Sequence, residues 1–270
     1  MFIDNHTHAQ TKKEIKKLLS SMDKNKIDKA IILHLFENSL KELIENTDDE
    51  NRLFVIGSIS IENKDFYDDF IELNEVIINK KIIGVKLYLG YEHFYANDKR
   101  CDIIYQMCEK NDIPVIFHTG DTWEGTRNKS LIKYANPIFI DEVAIKYPNL
   151  KIVISHMGNP IWLNETAEIV FKNENVYTDF SGMFSTIEEK DTKDIKIRKR
   201  NYNKKTEENI INLLNYIGDS RKIMFGSDFD YLSQDKHKEF IDKLLAEKYI
   251  SNDEYENITH INAETVYKIK

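Results

Sequence analysis

Cysteine is almost missing from this chain, with two residues, Cys101 and Cys108, among 270. They stand seven apart in a helix-like stretch, two turns along one face, too far apart along the axis for an easy disulfide. A disulfide-stapled secreted scaffold is therefore excluded, and two free buried thiols in a reducing compartment are expected. Proline (4) and glycine (9) are equally scarce, which argues against disorder, collagen and loop-rich folds. No apolar run approaches the ~18 residues of a membrane span. A secretory leader is not visible either. Asp4, His6 and His8 interrupt the first apolar segment, and Lys12, Lys13, Glu14, Lys16 and Lys17 follow at once. The N-terminus is expected to belong to the folded protein, with a cytoplasmic address and no membrane partner. Positive charge is in deficit as well: 38 Lys and Arg face 46 Asp and Glu, a net charge of −8. Phosphate binding wants a basic face, so no nucleic-acid partner is expected, and a small-molecule substrate is. Oligomeric state stays open, with a homodimer through outer helices compatible with the sequence.

What the chain does have is eight short apolar runs rich in β-branched residues: Phe2–Asn5, Lys29–His34, Leu53–Ser60, Ile82–Leu89, Pro114–His118, Lys151–Ser155, Val176–Phe180 and Lys222–Gly226. Near-continuous runs of this kind read as parallel strands buried on both faces. Between them lie amphipathic stretches with helix start and stop signals. Thr11 to Glu14, Ser39 to Glu42 and Ser251 to Glu254 fit the capping-box pattern. Asn136 and Pro137 open a helix that Pro148 closes, and Asp65–Asn79 is helical by pattern. Eight strands alternating with helices in this length predict a (β/α)8 TIM barrel, read as one domain over residues 1–270. The rival doubly wound sheet would announce itself with a Gly-rich turn after the first strand, and none is present. Glu188–Glu208, dense in charge, reads as a solvated loop or helix face at the rim, with Arg198 and Arg200 as its candidate substrate contacts.

The eight histidines are informative by position. His6 and His8 follow the first strand two apart, so in extended chain they point the same way. His118 ends strand five, His156 ends strand six, and Asp228 follows strand eight. Taken singly, each is most simply a packed or capping residue. Taken together, all five fall at the C-terminal ends of barrel strands, the face where barrel enzymes carry their active sites. Buried imidazoles and a carboxylate are costly alone and compatible around a divalent cation. Zn²⁺ suits that donor set and is the default.

Ile3-Asp4-Asn5-His6-Thr7-His8, His118-Thr119-Gly120, Ser155-His156-Met157-Gly158, Gly226-Ser227-Asp228-Phe229 and the closing Asn262-Ala263-Glu264-Thr265 together resemble the amidohydrolase superfamily. The resemblance is to its amidohydrolase-related branch, which also contains decarboxylases such as aminocarboxymuconate semialdehyde decarboxylase. It runs over essentially the whole chain. It implies His6, His8, His118 and Asp228 as ligands of one or two divalent ions, with His156 as a catalytic imidazole beside them. In the hydrolytic version the metal polarises a small amide, lactone or ester and activates water, and Asp228 takes and passes on the water proton. In the decarboxylating version the same centre binds a carboxylic acid and CO₂ leaves. Asp230 stands where many members have Pro, a departure that concerns the last loop and not the metal set.

Lys86, in Val85-Lys86-Leu87-Tyr88, lies in a near-continuous apolar strand and must find a partner. In relatives such as dihydroorotase a lysine at this strand is carboxylated and bridges two metals, with His156 then a ligand too. The alternative is an ammonium paired with Asp228 or a substrate carboxylate. Arg127, Trp123 and Tyr88 are the leading candidates for substrate contact, followed by Asp121, Tyr91, His93, Ser181, Asp230 and Tyr231. Arg127 leads because arginine is scarce here and suits an anionic group. His34 reads as a packed histidine, and His237 and His260 as helix-surface residues.

Overall fold

The computed structural model describes residues 1–122, 129–229 and 231–269. Each predicted apolar run supplies a strand: β1 (Ile3–Thr7), β2 (Lys29–Leu33), β3 (Leu53–Ser58), β4 (Val85–Leu87), β5 (Val115–Phe117), β6 (Ile152–Ile154), β7 (Val176–Asp179) and β8 (Ile223–Met224). They pair in chain order, all parallel. β8 returns to β1 through Asn5 N to Phe225 O (3.1 Å), Asp228 N to His6 O (2.8 Å) and a parallel bridge between Thr7 and Phe229. This is the (β/α)8 barrel that the sequence predicts.

Helices fill the connections: α1 (Lys12–Asn25), α2 (Leu40–Thr47), α3 (Phe66–Ile78), α4 (Asp102–Asn111), α5 (Ile138–Lys146), α6 (Leu163–Lys172), α7 (Lys193–Ile217), α8 (Gln234–Ala246), α9 (Asn252–Glu256) and α10 (Asn262–Tyr267). The capping boxes at Thr11 and Ser251 form with both reciprocal bonds, and Ser39 caps α2 through the Glu42 amide. Asn136 Oδ1 accepts from Ile138 N as α5 begins. Strand residues alternate between two cores. Ile3, Ile31, Leu33, Ile56, Ile116, Val153 and Met224 form one cluster with Ala263, Val266, Tyr267 and Ile269 of the C-terminal segment. Val55, Val85, Leu87, Val115, Phe117, Ile152 and Ile154 join the larger cluster with helix residues such as Leu18, Leu73, Ile104, Val143 and Val170. Cys101 and Cys108 are buried free thiols, as expected.

One expectation needs correction. His237 is fully buried rather than on a helix surface: α8 turns it inward, Nδ1 meets Ser233 O at 3.0 Å, and its ring packs against Phe184. Phe240, Ile241 and Leu244 follow it at i+3, i+4 and i+7, so His237 stands on the apolar face of α8. The charged run 188–208 mostly belongs to the 25-residue α7, capped by Thr192. Its buried stripe begins only at Thr206 and continues through Ile210, Leu213 and Ile217. Arg198 and Arg200 are exposed on the part before that stripe.

Candidate metal centre

β1 delivers His6 and His8 to the C-terminal mouth, β6 runs into His156, and the turn after β8 carries Asp228. One nitrogen of His6, one of His156 and one carboxylate oxygen of Asp228 lie within 4.8 Å of one another. His8 Nε2 stands 3.2 Å from Asp228 Oδ1 and His6 Nε2 3.5 Å from the same oxygen. His118 adjoins this group, its ring centroid 4.9 Å from that of His156. The structure thus gathers all five residues singled out at the strand ends. His156, expected as a catalytic imidazole, sits inside the tight group, and His118, expected as a ligand, stands one ring away.

The backbone is held in the left-handed region at the site itself: φ is 65° at His156, 50° at Met157 and 66° at Asp228. Such positions outside glycine cost about 1 kcal/mol or more and persist where surrounding contacts impose them. Gly182 makes room for them. A Cβ there would lie 2.9 Å from His156 Nδ1 and 3.1 Å from Asp228 Oδ2, and its φ of +71° favours glycine.

Each imidazole has one nitrogen facing an acceptor. His6 Nδ1 faces Asp179 Oδ2 (3.4 Å), His8 Nδ1 faces Leu33 O (3.2 Å), His156 Nδ1 faces Ser181 O (3.1 Å) and His118 Nε2 faces Asp121 O (2.9 Å). A carbonyl or carboxylate only accepts, so in His6, His156 and His118 these nitrogens carry the protons and the other nitrogen is available as a lone pair, whereas His8 meets an acceptor on both sides, Leu33 O and Asp228 Oδ1. Burial, reinforced by the Lys86 charge, pushes His6 down to about 3, so it is neutral at pH 7. His118 is held well below the usual imidazole range by burial and by His156, and His156 is lowered by burial. Burial opposes ionisation of Asp228, but its contact with His8 and the neighbouring imidazoles hold its carboxyl well below the usual range. A neutral His6 Nε2 therefore faces an ionised Asp228 oxygen with no proton between them. Lone pairs converging in this way fit a divalent cation, and the backing acceptors are the outer partners that metal-binding histidines use.

Lys86 is almost fully buried, and its Nζ donates to Ser155 Oγ at 2.7 Å. The hydrogen-bond partner is thus a hydroxyl rather than the Asp228 carboxylate of the simple ion-pair reading. Burial drives its ammonium down to about 7, with Asp179 and Asp228 pulling the other way. Tyr88 spans from Lys86, whose Nζ lies 5.7 Å from its ring centre, to His34, whose carbonyl accepts its hydroxyl at 2.6 Å. Tyr91 packs on His118 (4.7 Å) and Tyr231 on His8 (5.0 Å), so tyrosines flank the histidines on two sides. His34 is packed between Ser58 Oγ and Asn38 O, as expected. His93 is exposed and stacks on Tyr134, away from the metal group. Trp123, Arg127 and Asp230 lie outside the described residues.

Two acidic residues escaped the sequence reading. Asp179 ends β7 fully buried, and its Oδ1 accepts from the backbone amides of His156 (3.0 Å) and Ser181 (3.1 Å). Asp4 sits behind His6, accepting from Ser227 N and Oγ and from Gln234 Nε2. The argument that singled out Lys86, a charge in an apolar strand, applies equally to Asp179.

Comparison with known proteins places this geometry. Residues 46–269 match the family model described as Amidohydrolase. No curated protein matches the chain in sequence. Among solved structures, 5-carboxyvanillate decarboxylase from Sphingomonas paucimobilis superposes with a TM-score of 0.70 at 13% identity, covering 100% of this chain and 99% of its own. A dihydroxybenzoic acid decarboxylase from Polaromonas sp. JS666, with bound manganese and the inhibitor 2-nitroresorcinol, gives 0.67 at 14% identity, covering 99% and 96%. A probable 2-pyrone-4,6-dicarboxylic acid hydrolase from Acinetobacter baumannii, with citric acid bound, gives 0.66 at 15% identity, covering 99% of both chains. At these identities the superpositions speak for the fold, and the family model speaks for descent. The chain belongs to the amidohydrolase family and is an enzyme of that superfamily.

Proposed function

We propose that this protein is a metal-dependent hydrolase that opens an ester, lactone or amide bond in a small, planar, carboxylated substrate. The observation that carries the reading is the convergence of ligand atoms of His6, His156 and Asp228 within 4.8 Å of one another, with His8 and His118 beside them. Imidazoles and a carboxylate gathered in this way suit a divalent ion and a base that accepts a proton from water. His6, His8, Asp228 and a nitrogen of His156 or His118 would hold the ion, with Zn²⁺ as the default and manganese a close rival. A divalent ion bound there supplies Lewis acidity, polarising a carbonyl and making water acidic enough to attack near neutral pH.

The remaining work falls to the chain's own residues. Asp228 Oδ2, on the side of Gly182, accepts a proton from water and returns it to the departing oxygen or nitrogen. His156, with its Nδ1 proton committed to Ser181 O, presents a bare Nε2 that helps hold the ion or accepts a hydrogen bond from the attacking water. Lys86 supplies a buried cation for a substrate carboxylate, and Tyr88, Tyr91 and Tyr231 supply aromatic surface for a flat ring. Substrates named for the structural neighbours, 5-carboxyvanillate and 2-pyrone-4,6-dicarboxylic acid, are planar carboxylic acids of this kind.

Decarboxylation is the second reading, favoured by one observation. Lys86, driven down to about 7, is a buried proton donor of the strength needed to protonate the carbon that loses CO₂. Elemental analysis of protein purified without chelator tests the metal first. About two ions per chain favour a lysine-bridged pair, and about one favours the mononuclear site. A panel of aromatic acids, lactones and esters, read for CO₂ and for ring opening, then separates the chemistries. His6→Ala is expected to lose metal and activity together, and His156→Asn to lose turnover while keeping one ion. Full metal content and normal rate in His6→Ala would overturn the assignment.

A further inference from the structure

Ser181 occupies an unusual place. It is fully buried, and its Oγ lies 3.1 Å from His6 Nδ1 and 2.9 Å from His156 Nδ1, while also donating to Asp179 Oδ1. A hydroxyl has one proton and two lone pairs. Asp179 Oδ1 already accepts the backbone amides of His156 and Ser181, so it meets Ser181 Oγ as an acceptor and the Ser181 proton is committed to it. The two lone pairs of Oγ are then turned toward the two imidazoles, and each can only accept. His6 Nδ1 meets Ser181 Oγ and Asp179 Oδ2, both acceptors. His156 Nδ1 meets Ser181 Oγ and Ser181 O, both acceptors.

We propose that Ser181 and Asp179 act as one proton-ordering pair that fixes His6 and His156 together in the Nδ1–H tautomer, leaving a bare Nε2 on each for the metal. The inference rests on reading the cluster as a metal site, but its core concerns protons in the metal-free protein. Ser181 and Asp179 are positioning residues: neither needs to touch substrate. Gly226 and Gly182 belong to the same device. A Cβ at Gly226 would come within 2.9 Å of Ser181 Cβ and 3.0 Å of His6 Cβ, and one at Gly182 within 2.9 Å of His156 Nδ1. Ser181 is thereby held at the distances its three hydrogen bonds need.

The test is nitrogen-15 NMR of the histidine side chains in the metal-free, full-length protein, with zinc affinity measured separately by competition with a chelator. Wild type is expected to show His6 and His156 as Nδ1–H, Nε2-bare rings. Asp179→Asn gives the sharper signature. Oδ1 accepts two backbone amides, so the new amide oxygen takes that place and the NH₂ takes the place of Oδ2, opposite His6 Nδ1. Donor then meets donor, and His6 is expected to switch to the Nε2–H tautomer while His156 keeps its Ser181 carbonyl partner. Ser181→Ala is expected to loosen both rings and weaken zinc binding about 10- to 100-fold, the usual effect of removing an outer-shell partner. Thr178→Val removes an equally buried hydroxyl on β7, one that donates to Ile154 O (2.7 Å), and is expected to leave the tautomers and zinc affinity unchanged.

A His6 ring that stays Nδ1–H in Asp179→Asn, or wild-type zinc affinity in Ser181→Ala, would overturn the proposal. So would an effect of Thr178→Val as large as that of Ser181→Ala. A wild-type protein with both rings Nδ1–H that binds no zinc would overturn the metal reading while upholding the pair.

Discussion

Lys86 Nζ and Ser155 Oγ are joined by a 2.7 Å hydrogen bond inside the barrel, directly before the strand end that carries His156. The hydroxyl gives the ammonium a dipole but no countercharge, and taking an ammonium out of water is costly without one. The positive potential left over is available to a substrate carboxylate.

Replacing Lys86 by Met removes that charge and fills its volume. Metal-free Lys86→Met is expected to be as stable as wild type, or more so, in urea unfolding at pH 7. Its affinity for an aromatic dicarboxylate such as isophthalate is expected to fall on the order of tenfold or more, the worth of a hydrogen bond to a charged group. Titration calorimetry reads the second effect. Unchanged isophthalate binding in the variant would remove Lys86 from the substrate site.

Glu92 lies on the loop after β4, nearly buried, accepting from Ser60 Oγ (2.5 Å) and Glu62 N (3.3 Å), with no partner for Oε2 among the described residues. Burial raises its carboxyl from 4.5 to about 7. Between those values the native state holds a proton that the unfolded state has released, so this residue's stabilisation is complete below pH 4.5 and is lost as pH rises to 7. Glu92→Gln keeps both accepted hydrogen bonds and cannot ionise. Its stability advantage over wild type is expected to grow from pH 4.5 to 7 by on the order of 3 kcal/mol and then level off. Parallel stability curves for the two proteins across that window would show that Glu92 is not held protonated.

Much of this molecule is legible in its sequence. All eight strands grow from runs of Ile, Val, Leu and Phe because a barrel strand is buried on both faces. The runs overreach at their ends: Ile82–Gly84 lead into β4 without joining it, and Phe180 follows β7. His6, His8, His118, His156 and Asp228 were legible because strand ends in a barrel converge. Asp179 was passed over although a charge in an apolar run marks it, and Ser181 was legible only as a polar residue after a strand. Their roles lie in contacts with His156 and with His6 at the far end of the chain, which nothing local in the sequence announces. His237 was misplaced because a single histidine among lysines reads as surface, although its spacing to Phe240, Ile241 and Leu244 marks the apolar face.

Gly182 gives a steric test of the site. Alanine there must adopt a φ of +71° and place its Cβ 2.9 Å from His156 Nδ1. Gly182→Ala is expected to lose about 1–3 kcal/mol of stability from the strained backbone and overpacking combined. Zinc content is expected to fall with it, since the ring and carboxylate that must give way, His156 and Asp228, are the groups proposed to hold or face the ion. Zinc per chain and urea midpoints measured on the same preparation check both. Loss of stability with full zinc content would separate this glycine's structural role from the metal site.

His237 makes the last prediction, and its sign runs opposite to that of Glu92. Burial lowers its imidazole from 6.5 to about 4, the Ser233 carbonyl only partly opposing. Between those values the unfolded chain takes up a proton that the native ring refuses, so stability present above pH 6.5 is lost as pH falls toward 4. Its Nε2 has no partner among the described residues, so the ring is held by packing against Phe184 and by one bond to Ser233 O. Methionine fills similar space and does not titrate. His237→Met is expected to lie within about 1 kcal/mol of wild type at pH 7. At pH 5 the comparison should move in its favour by on the order of 2 kcal/mol. Urea unfolding of both proteins at the two pH values checks it. An equal loss of stability in both proteins on going to pH 5 would mean that the acid sensitivity lies elsewhere, in the imidazoles of the metal group.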